Sequence, residues 1–179
     1  MNIVVMGVSG CGKTTVGMAL AAALGMDFLD GDDLHPRENV EKMASGQPLD
    51  DADRAPWLKA VGQHLAAAPG GLVIGCSALK RSYRDLIRLY CPDVAFVHLT
   101  GSFELLYERM LHRPGHFMPP ALLESQFATL QPLQQDEFGR AFDVADPVQK
   151  IVRDAAQWLR ETEAVVPAAT RSRDAAAIG

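Results

Sequence analysis

Gly7-Val8-Ser9-Gly10-Cys11-Gly12-Lys13-Thr14 follows directly on the apolar run Ile3-Val4-Val5-Met6. The pattern is G-x-x-x-x-G-K-[ST], that of a phosphate-binding loop. A buried strand delivers the chain into a glycine-rich turn, whose backbone N–H groups close around phosphate oxygens with no Cβ in the way. Residues 16–24 read as a helix, so its positive N-terminal end faces the same anion. In this reading Lys13 reaches the β- and γ-phosphates, and the Thr14 hydroxyl is a ligand of Mg²⁺. The strand–loop–helix setting is the one the motif requires, which weighs against a glycine-rich connector that matches by chance. The chain handles a nucleoside triphosphate. What receives the phosphoryl group is a separate question.

Strand and helix signals alternate outward from this loop. Met26-Asp27-Phe28-Leu29 leads to Asp30-Gly31-Asp32; Pro36 suits a first helical position, and Gly46 ends that short helix. Asp50, Asp51 and Asp53 cluster where a helix begins, and Trp57, Leu58, Val61, His64 and Leu65 form its stripe. Pro69-Gly70-Gly71 breaks it. Residues 72–76, 94–99 and 142–144 read as strands, and 81–90, 103–111, 122–130 and 148–159 as helices. The alternation implies an α/β fold, a parallel sheet with helices on both faces. Ligands of such sheets bind beyond the carboxyl ends of the strands. That rule gathers 7–14, 30–35, 77–80 and Gly101 on one edge. One domain is expected over 1–162, with a loose tail over 163–179.

The 179 residues, 48% apolar and 22% charged, have the composition of an ordinary soluble globule with one core. A net charge of −5 with no basic run argues against nucleic acid or an anionic membrane as the main partner. No apolar stretch has the length of a membrane span. Three cysteines, Cys11, Cys76 and Cys91, lack metal-ligand spacing, which predicts reduced thiols and a cytoplasmic protein.

Phosphoryl transfer needs Mg²⁺ on the phosphates, an oriented nucleophile and positive charge around the moving group. Many phosphate-loop proteins take a metal-site carboxylate from the end of a later strand, but here 72–76 runs into Cys76-Ser77-Ala78 with no acid. Asp30 and Asp32 close the preceding strand instead. On an extended segment residues two apart point to the same side, which predicts both carboxylates facing the phosphates. One holds the metal through water; the other accepts a proton from a hydroxyl. Asp-Gly-Asp also suits a solvated turn, and its place beside the phosphate loop favours the functional reading. No Asn-Lys-x-Asp base-reading motif is present, so the nucleophile is an alcohol on a small molecule rather than the water of a GTPase switch.

Several stretches together carry a family resemblance. They are Gly7-Val8-Ser9-Gly10-x-Gly12-Lys13, Phe28-Leu29-Asp30-Gly31-Asp32-x-Leu34-His35-Pro36, Lys42-Met43-Ala44-Ser45-Gly46-x-Pro48-Leu49, Asp53-Arg54-x-Pro56-Trp57-Leu58, Cys76-Ser77-Ala78-Leu79-Lys80-x-x-Tyr83-Arg84-Asp85 and Gly115-His116-Phe117-Met118. In order, from about Met6 to Leu159, the chain resembles the small phosphate-loop gluconokinases, relatives of shikimate kinase and the nucleoside monophosphate kinases. The resemblance implies a three-layer P-loop kinase fold, a five-stranded parallel sheet of order 2-3-1-4-5, and a mobile lid over about 109–122. It also implies transfer from ATP to D-gluconate, giving 6-phospho-D-gluconate, by a homodimer.

Carried over position by position, the resemblance implies nucleotide contacts from Gly7, Ser9, Gly10, Cys11, Gly12, Lys13, Thr14, Thr15 and Arg109, the last near adenine. Metal would be held by Thr14 and Asp30. Lys13, Asp32 as base, and Arg113 on the transferring phosphates would carry the chemistry. The acceptor would meet Asp32, His35, Arg54, Lys80, Arg84, His116 and Gln126. Bidentate pairing favours an arginine as carboxylate anchor, and Arg54 and Arg84 both qualify. Each also has a structural alternative, a pair with Asp50 or Asp51 for Arg54 and with an acid of its own helix for Arg84. Cys11 stands where many relatives have Ser; beside a helix N-terminus its thiol is expected to have a lowered pKa and to oxidise readily. A kinase of another small hydroxy acid, such as shikimate, is the nearest alternative. A nucleoside monophosphate kinase would need more aromatic residues around its acceptor. A non-catalytic nucleotide-binding regulator would not need Lys13, Thr14, Asp30, Asp32, Arg109 and Arg113 together.

Overall fold

The computed structural model describes residues 1–112 and 120–165. In chain order the elements are β1 (Asn2–Met6), α1 (Lys13–Leu24), β2 (Asp27–Asp30), a 3₁₀ turn (Gly31–Leu34), α2 (Arg37–Ala44), α3 (Asp51–Ala67) and β3 (Leu72–Gly75). There follow α4 (Arg81–Tyr90), β4 (Ala95–Thr100), α5 (Phe103–Leu111), α6 (Pro120–Thr129), β5 (Gly139–Asp143) and α7 (Val148–Val165). The five strands form one sheet of order β2-β3-β1-β4-β5, with every neighbouring pair parallel. This is the expected topology.

β1 is central because its residues alternate between two apolar layers. Ile3 and Val5 face a core that contains Val16, Leu20, Leu106, Leu123, Ile151 and Leu159, contributed by α1, α5, α6 and α7. Val4 and Met6 face the other core, with Trp57, Leu58, Val61 and Leu65 of α3 and Ile87 of α4. All four β1 residues are completely buried. A strand apolar on both faces has its stable place inside a helix-covered parallel sheet. Full burial of each such side chain stabilises the fold by about 1.5–3 kcal/mol. Trp57, Leu58, Val61 and Leu65 of the α3 stripe are therefore core, as their spacing indicates, while His64 is exposed.

Element ends are set by caps. Asp50 accepts from the Asp53 N–H at 2.8 Å, and Asp53 returns a contact to the Asp50 N–H at 2.9 Å, a reciprocal box that starts α3. Ser102 starts α5 in the simpler way, accepting from the Leu105 N–H. Three boundaries differ from the sequence pattern. α1 begins at Lys13 rather than Val16, because Gly12, in the left-handed region at φ 92°, ends the loop there. α6 starts at Pro120, a residue suited to a first turn. α7 runs to Val165, so helix persists beyond the tail boundary expected at 163. Among the described residues no helix is long and apolar enough to cross a membrane.

Candidate active site

The loop between β1 and α1 turns through Gly7, Gly10 and Gly12, all at positive φ. Gly12 caps α1 with no side chain on the helix's first N–H groups, and a Cβ there would meet nothing within 4 Å. Those donors have no side-chain cap, as an anion cradle needs. Lys13 donates its Nζ to the carbonyls of Gly7 (3.1 Å) and Val8 (3.2 Å), so the ammonium lies over the loop. The Gly7 N–H reaches the Ser77 carbonyl, which ties the loop to the turn after β3.

Gln126 departs from its expected place. Its Oε1 accepts from the Ser9 N–H at 2.6 Å, and its Nε2 donates to Ser9 Oγ at 3.0 Å. Both ends of the amide are engaged by the nucleotide loop, so Gln126 joins α6 to that loop and is not an acceptor contact in this arrangement.

A cavity of about 420 Å³ opens beside the loop, bounded by Gly10, Gly12 and Thr15 below, by Val144, Pro147 and Ile151 on one wall, and by Arg109. Its size and mixed lining are those of a small-molecule site. Arg109 is held by donation from Nη2 to the Val144 carbonyl at 2.7 Å. Cys11 also lines this wall, but its residue is 1% exposed and its thiol is pushed up by burial, against the lowering pull of Lys13. The expectation of an easily oxidised thiol is therefore wrong: desolvation outweighs the helix end. All three cysteines are buried and unpaired. Native protein should show no fast-reacting thiol toward a disulfide reagent and three once unfolded, and Cys11→Ser should leave kcat/KM within about twofold.

The acids sit where β2 ends. Asp30 accepts from Thr14 Oγ1 at 3.1 Å with one carboxylate oxygen and from the Asp32 N–H at 3.1 Å with the other. The second contact starts the 3₁₀ turn, so the segment is not extended past Asp30, and the two-residue spacing argument for a shared face does not apply. What brings Asp32 to the site is the turn itself. Gly31 is required within it, since a Cβ would lie 2.5 Å from the Gly75 carbonyl. Burial, then the nearby Asp30 charge, raises the Asp32 carboxyl above its ordinary value of 3.8, while Lys13 and His35 pull it down. Trp57 braces the turn, donating Nε1 to the Gly31 carbonyl at 2.6 Å, and the His35 ring stacks on it at 4.2 Å.

The expected acceptor cations divide. Arg54 donates to the Leu49 carbonyl, lies 5.8 Å from the Tyr83 ring, and has no carboxylate partner among the described residues. Lys80 is paired with both oxygens of Asp51, at 2.8 and 2.9 Å, and Tyr83 donates to the same carboxylate at 2.5 Å. These bonds, from Lys80 first and then Tyr83, hold Asp51 below the usual carboxylate range. Arg84 is a correction. Its side chain is fully buried and forms a two-pronged pair with the equally buried Glu137, at 2.6 and 2.9 Å. Its remaining donors go to the carbonyls of Ala78, Leu79, Gln131 and Pro132, so none is left for a substrate. Arg113 and His116 lie outside the described residues, as does half of the expected lid, residues 113–119.

Sequence reasoning gave no site role to Asp51, Tyr83, Asn39 or Glu137. Asp51 lay within a recognised acid cluster and Tyr83 within a quoted motif; for Glu137, far along the chain from Arg84, no local signal existed.

A phosphate loop at the carboxyl edge of a 2-3-1-4-5 sheet, with an acid on its Thr and a second acid in the adjoining turn, defines a P-loop kinase. A family model described as "AAA domain" matches residues 3–118. The chain is 54% identical over 138 residues to the gluconokinase of Gluconobacter oxydans (strain 621H), covering 75% of this chain and 78% of that one. It is 45% identical over 179 residues to a probable gluconokinase of Xenopus tropicalis, covering 86% and 90%. It matches the crystal structure of a gluconokinase from Sinorhizobium meliloti 1021 with a TM-score of 0.83 and 52% identity, over 90% of this chain and 92% of that one. The chain belongs to the gluconokinase family.

Proposed function

We propose that this chain transfers the γ-phosphoryl group of ATP to the terminal hydroxyl of D-gluconate, releasing ADP and 6-phospho-D-gluconate. One observation carries the reading. Thr14 of the phosphate loop and Asp30 meet at 3.1 Å, and the adjoining turn holds Asp32 with a carboxyl inclined to take a proton. Asp32 removes the hydroxyl proton as the new O–P bond forms, and the bond to the departing ADP breaks on the far side. Lys13 and the uncapped N–H groups of α1 meet the phosphates.

Thr14 Oγ1 and an oxygen of Asp30 are hard donors suited to Mg²⁺, which neutralises charge between the β- and γ-phosphates when bound. Among the described residues no group of three or more His, Cys, Asp or Glu gathers for a metal. That fits an ion held largely by phosphates and water. Arg54, which alone of the acceptor cations Arg54, Lys80 and Arg84 has no acid partner among the described residues, is the carboxylate anchor in this proposal; Lys80 contributes through its Asp51 and Tyr83 network. Arg109 flanks the adenine cavity, and Arg113 serves the transferring group. A homodimer in the cytoplasm belongs to the same reading.

The test is ADP release against a panel of gluconate, shikimate, glucose and AMP. Gluconate alone should give turnover above background hydrolysis, and EDTA should abolish it. No turnover with gluconate refutes the proposal, and turnover with shikimate alone selects the nearest alternative.

A further inference from the structure

Asn39 is 4% exposed, on α2, and is one of few buried polar side chains in the described fold. Its Nδ2 lies 2.7 Å from the Asp53 backbone carbonyl and 3.4 Å from His35 Nδ1. A backbone carbonyl only accepts, so the amide end facing Asp53 is the NH₂ group, and the amide orientation is fixed. The same NH₂ therefore donates its other hydrogen toward His35. A ring nitrogen that accepts carries no proton, and the imidazole proton must then sit on Nε2.

Other contacts hold this arrangement. The His35 ring stacks on Trp57 at 4.2 Å and 16°, which fixes its plane. Asp53, whose carbonyl orients Asn39, is itself anchored by the α3 capping box and by Lys42 at 2.6 Å. His35 Nε2 has no hydrogen-bond partner among the described residues, and the residue is half-buried. The charges that face the ring are Asp32 of the 3₁₀ turn and Arg54 of α3, with the Asp53–Lys42 pair behind Asn39. Burial first, with Arg54, keeps the ring neutral below its ordinary titration range, against the opposing pull of Asp32.

We propose that Asn39 is a positioning residue of the acceptor side of the site: it locks His35 as the Nε2–H tautomer, so that the open edge of the ring is a neutral donor to a sugar-acid oxygen. The inference rests on the function proposed above for its choice of ligand. Its structural half stands without it. A donor there selects for an acceptor that presents lone pairs beside Asp32, and a protonated or flipped ring would not present the same pattern.

Long-range ¹⁵N–¹H correlation of the ring nitrogens in the unliganded wild-type protein at neutral pH reads the tautomer directly. His35, one of five histidines, is assigned by the signals lost in His35→Gln. The expected result is a protonated Nε2 and a bare Nδ1. In Asn39→Asp the new side chain has only acceptors, so the ring should move its proton to Nδ1 or become charged. KM for gluconate should then rise about tenfold, the equivalent of one hydrogen bond, with KM for ATP unchanged. In a His35→Gln background Asn39→Asp should add nothing. A wild-type proton on Nδ1 overturns the proposal, as does an equal KM rise with and without His35. Should Asn39→Asp not fold, the wild-type spectrum decides alone. Absence of gluconate turnover would sink the proposed function and leave the tautomer reading standing.

Discussion

Asp32→Asn is expected to lower kcat by about 10²–10⁴-fold, the usual contribution of a positioned base, with KM for ATP little changed. Asparagine keeps the shape of aspartate but is neutral and cannot accept the proton. The turn survives the change, because it depends on the Asp32 backbone N–H donating to Asp30, not on the Asp32 side chain. Trp57 continues to hold the Gly31 carbonyl. Retention of kcat within about threefold would remove Asp32 from the base role.

The same residue sets a pH dependence. Its carboxyl is raised above 3.8 by desolvation and by Asp30, so the protonated, inactive form persists to higher pH than an unperturbed aspartate would allow. The acid limb of kcat/KM should fall as pH drops through that raised value, and this limb should be missing in Asp32→Asn. The linkage to folding has a definite sign. A raised folded pKa contributes stability that is full below the unfolded value and is lost as pH rises through the folded one. At neutral pH the Asp32 carboxylate thus costs the fold something, and Asp32→Asn should have a Tm equal to or above that of wild type. Catalysis and stability move oppositely, which is the mark of a group kept for its chemistry.

Much of this was legible from residues, and the misses have physical causes. Ile3–Met6 followed by Gly7–Thr14 announces a central strand, a phosphate loop and a helix, because each is specified locally by apolar runs, glycines and spacing. Asp30 was placed correctly beside the loop; Asp32 reached the site by a turn where an extended strand was expected, since a side-chain cap on the next N–H bends the chain. Cys11 was misjudged because burial cannot be read from a motif, and burial decides its thiol. The family resemblance and side-chain chemistry together point Gln126 and Arg84 at the acceptor. Their real partners, Ser9 and Glu137, lie 117 and 53 positions away, and nothing in the local sequence announces a contact so remote.

Arg84 carries the largest stability prediction. Arg84→Met should destabilise the protein by about 3–5 kcal/mol, the cost of leaving one member of a buried ion pair uncompensated. At about 2–4 °C per kcal/mol for a chain of this size, Tm should fall by about 6–20 °C. Glu137 shows why. Burial pushes its carboxyl up, yet the two bonds from Arg84, with one from the Gln134 N–H, hold it below the usual range. Without the guanidinium that carboxylate must be buried unpaired or take a proton. Arg84→Met with Glu137→Leu should recover part of the loss, since a buried pair exchanged for apolar groups is often neutral. Recovery should stay incomplete, because the carbonyls of Ala78, Leu79, Gln131 and Pro132 also lose their donor. Ala78 sits at φ 42°, an uncommon angle for a residue with a side chain, in the turn that leads to Lys80. Arg84 is thus the clamp on a strained turn, and a weaker clamp should also raise KM for gluconate. Urea unfolding and gluconate kinetics on the same variants separate the two roles. A direct substrate ligand would raise KM with stability changed by less than about 1 kcal/mol, as for an exposed ion-pairing residue, whereas the clamp loses both together.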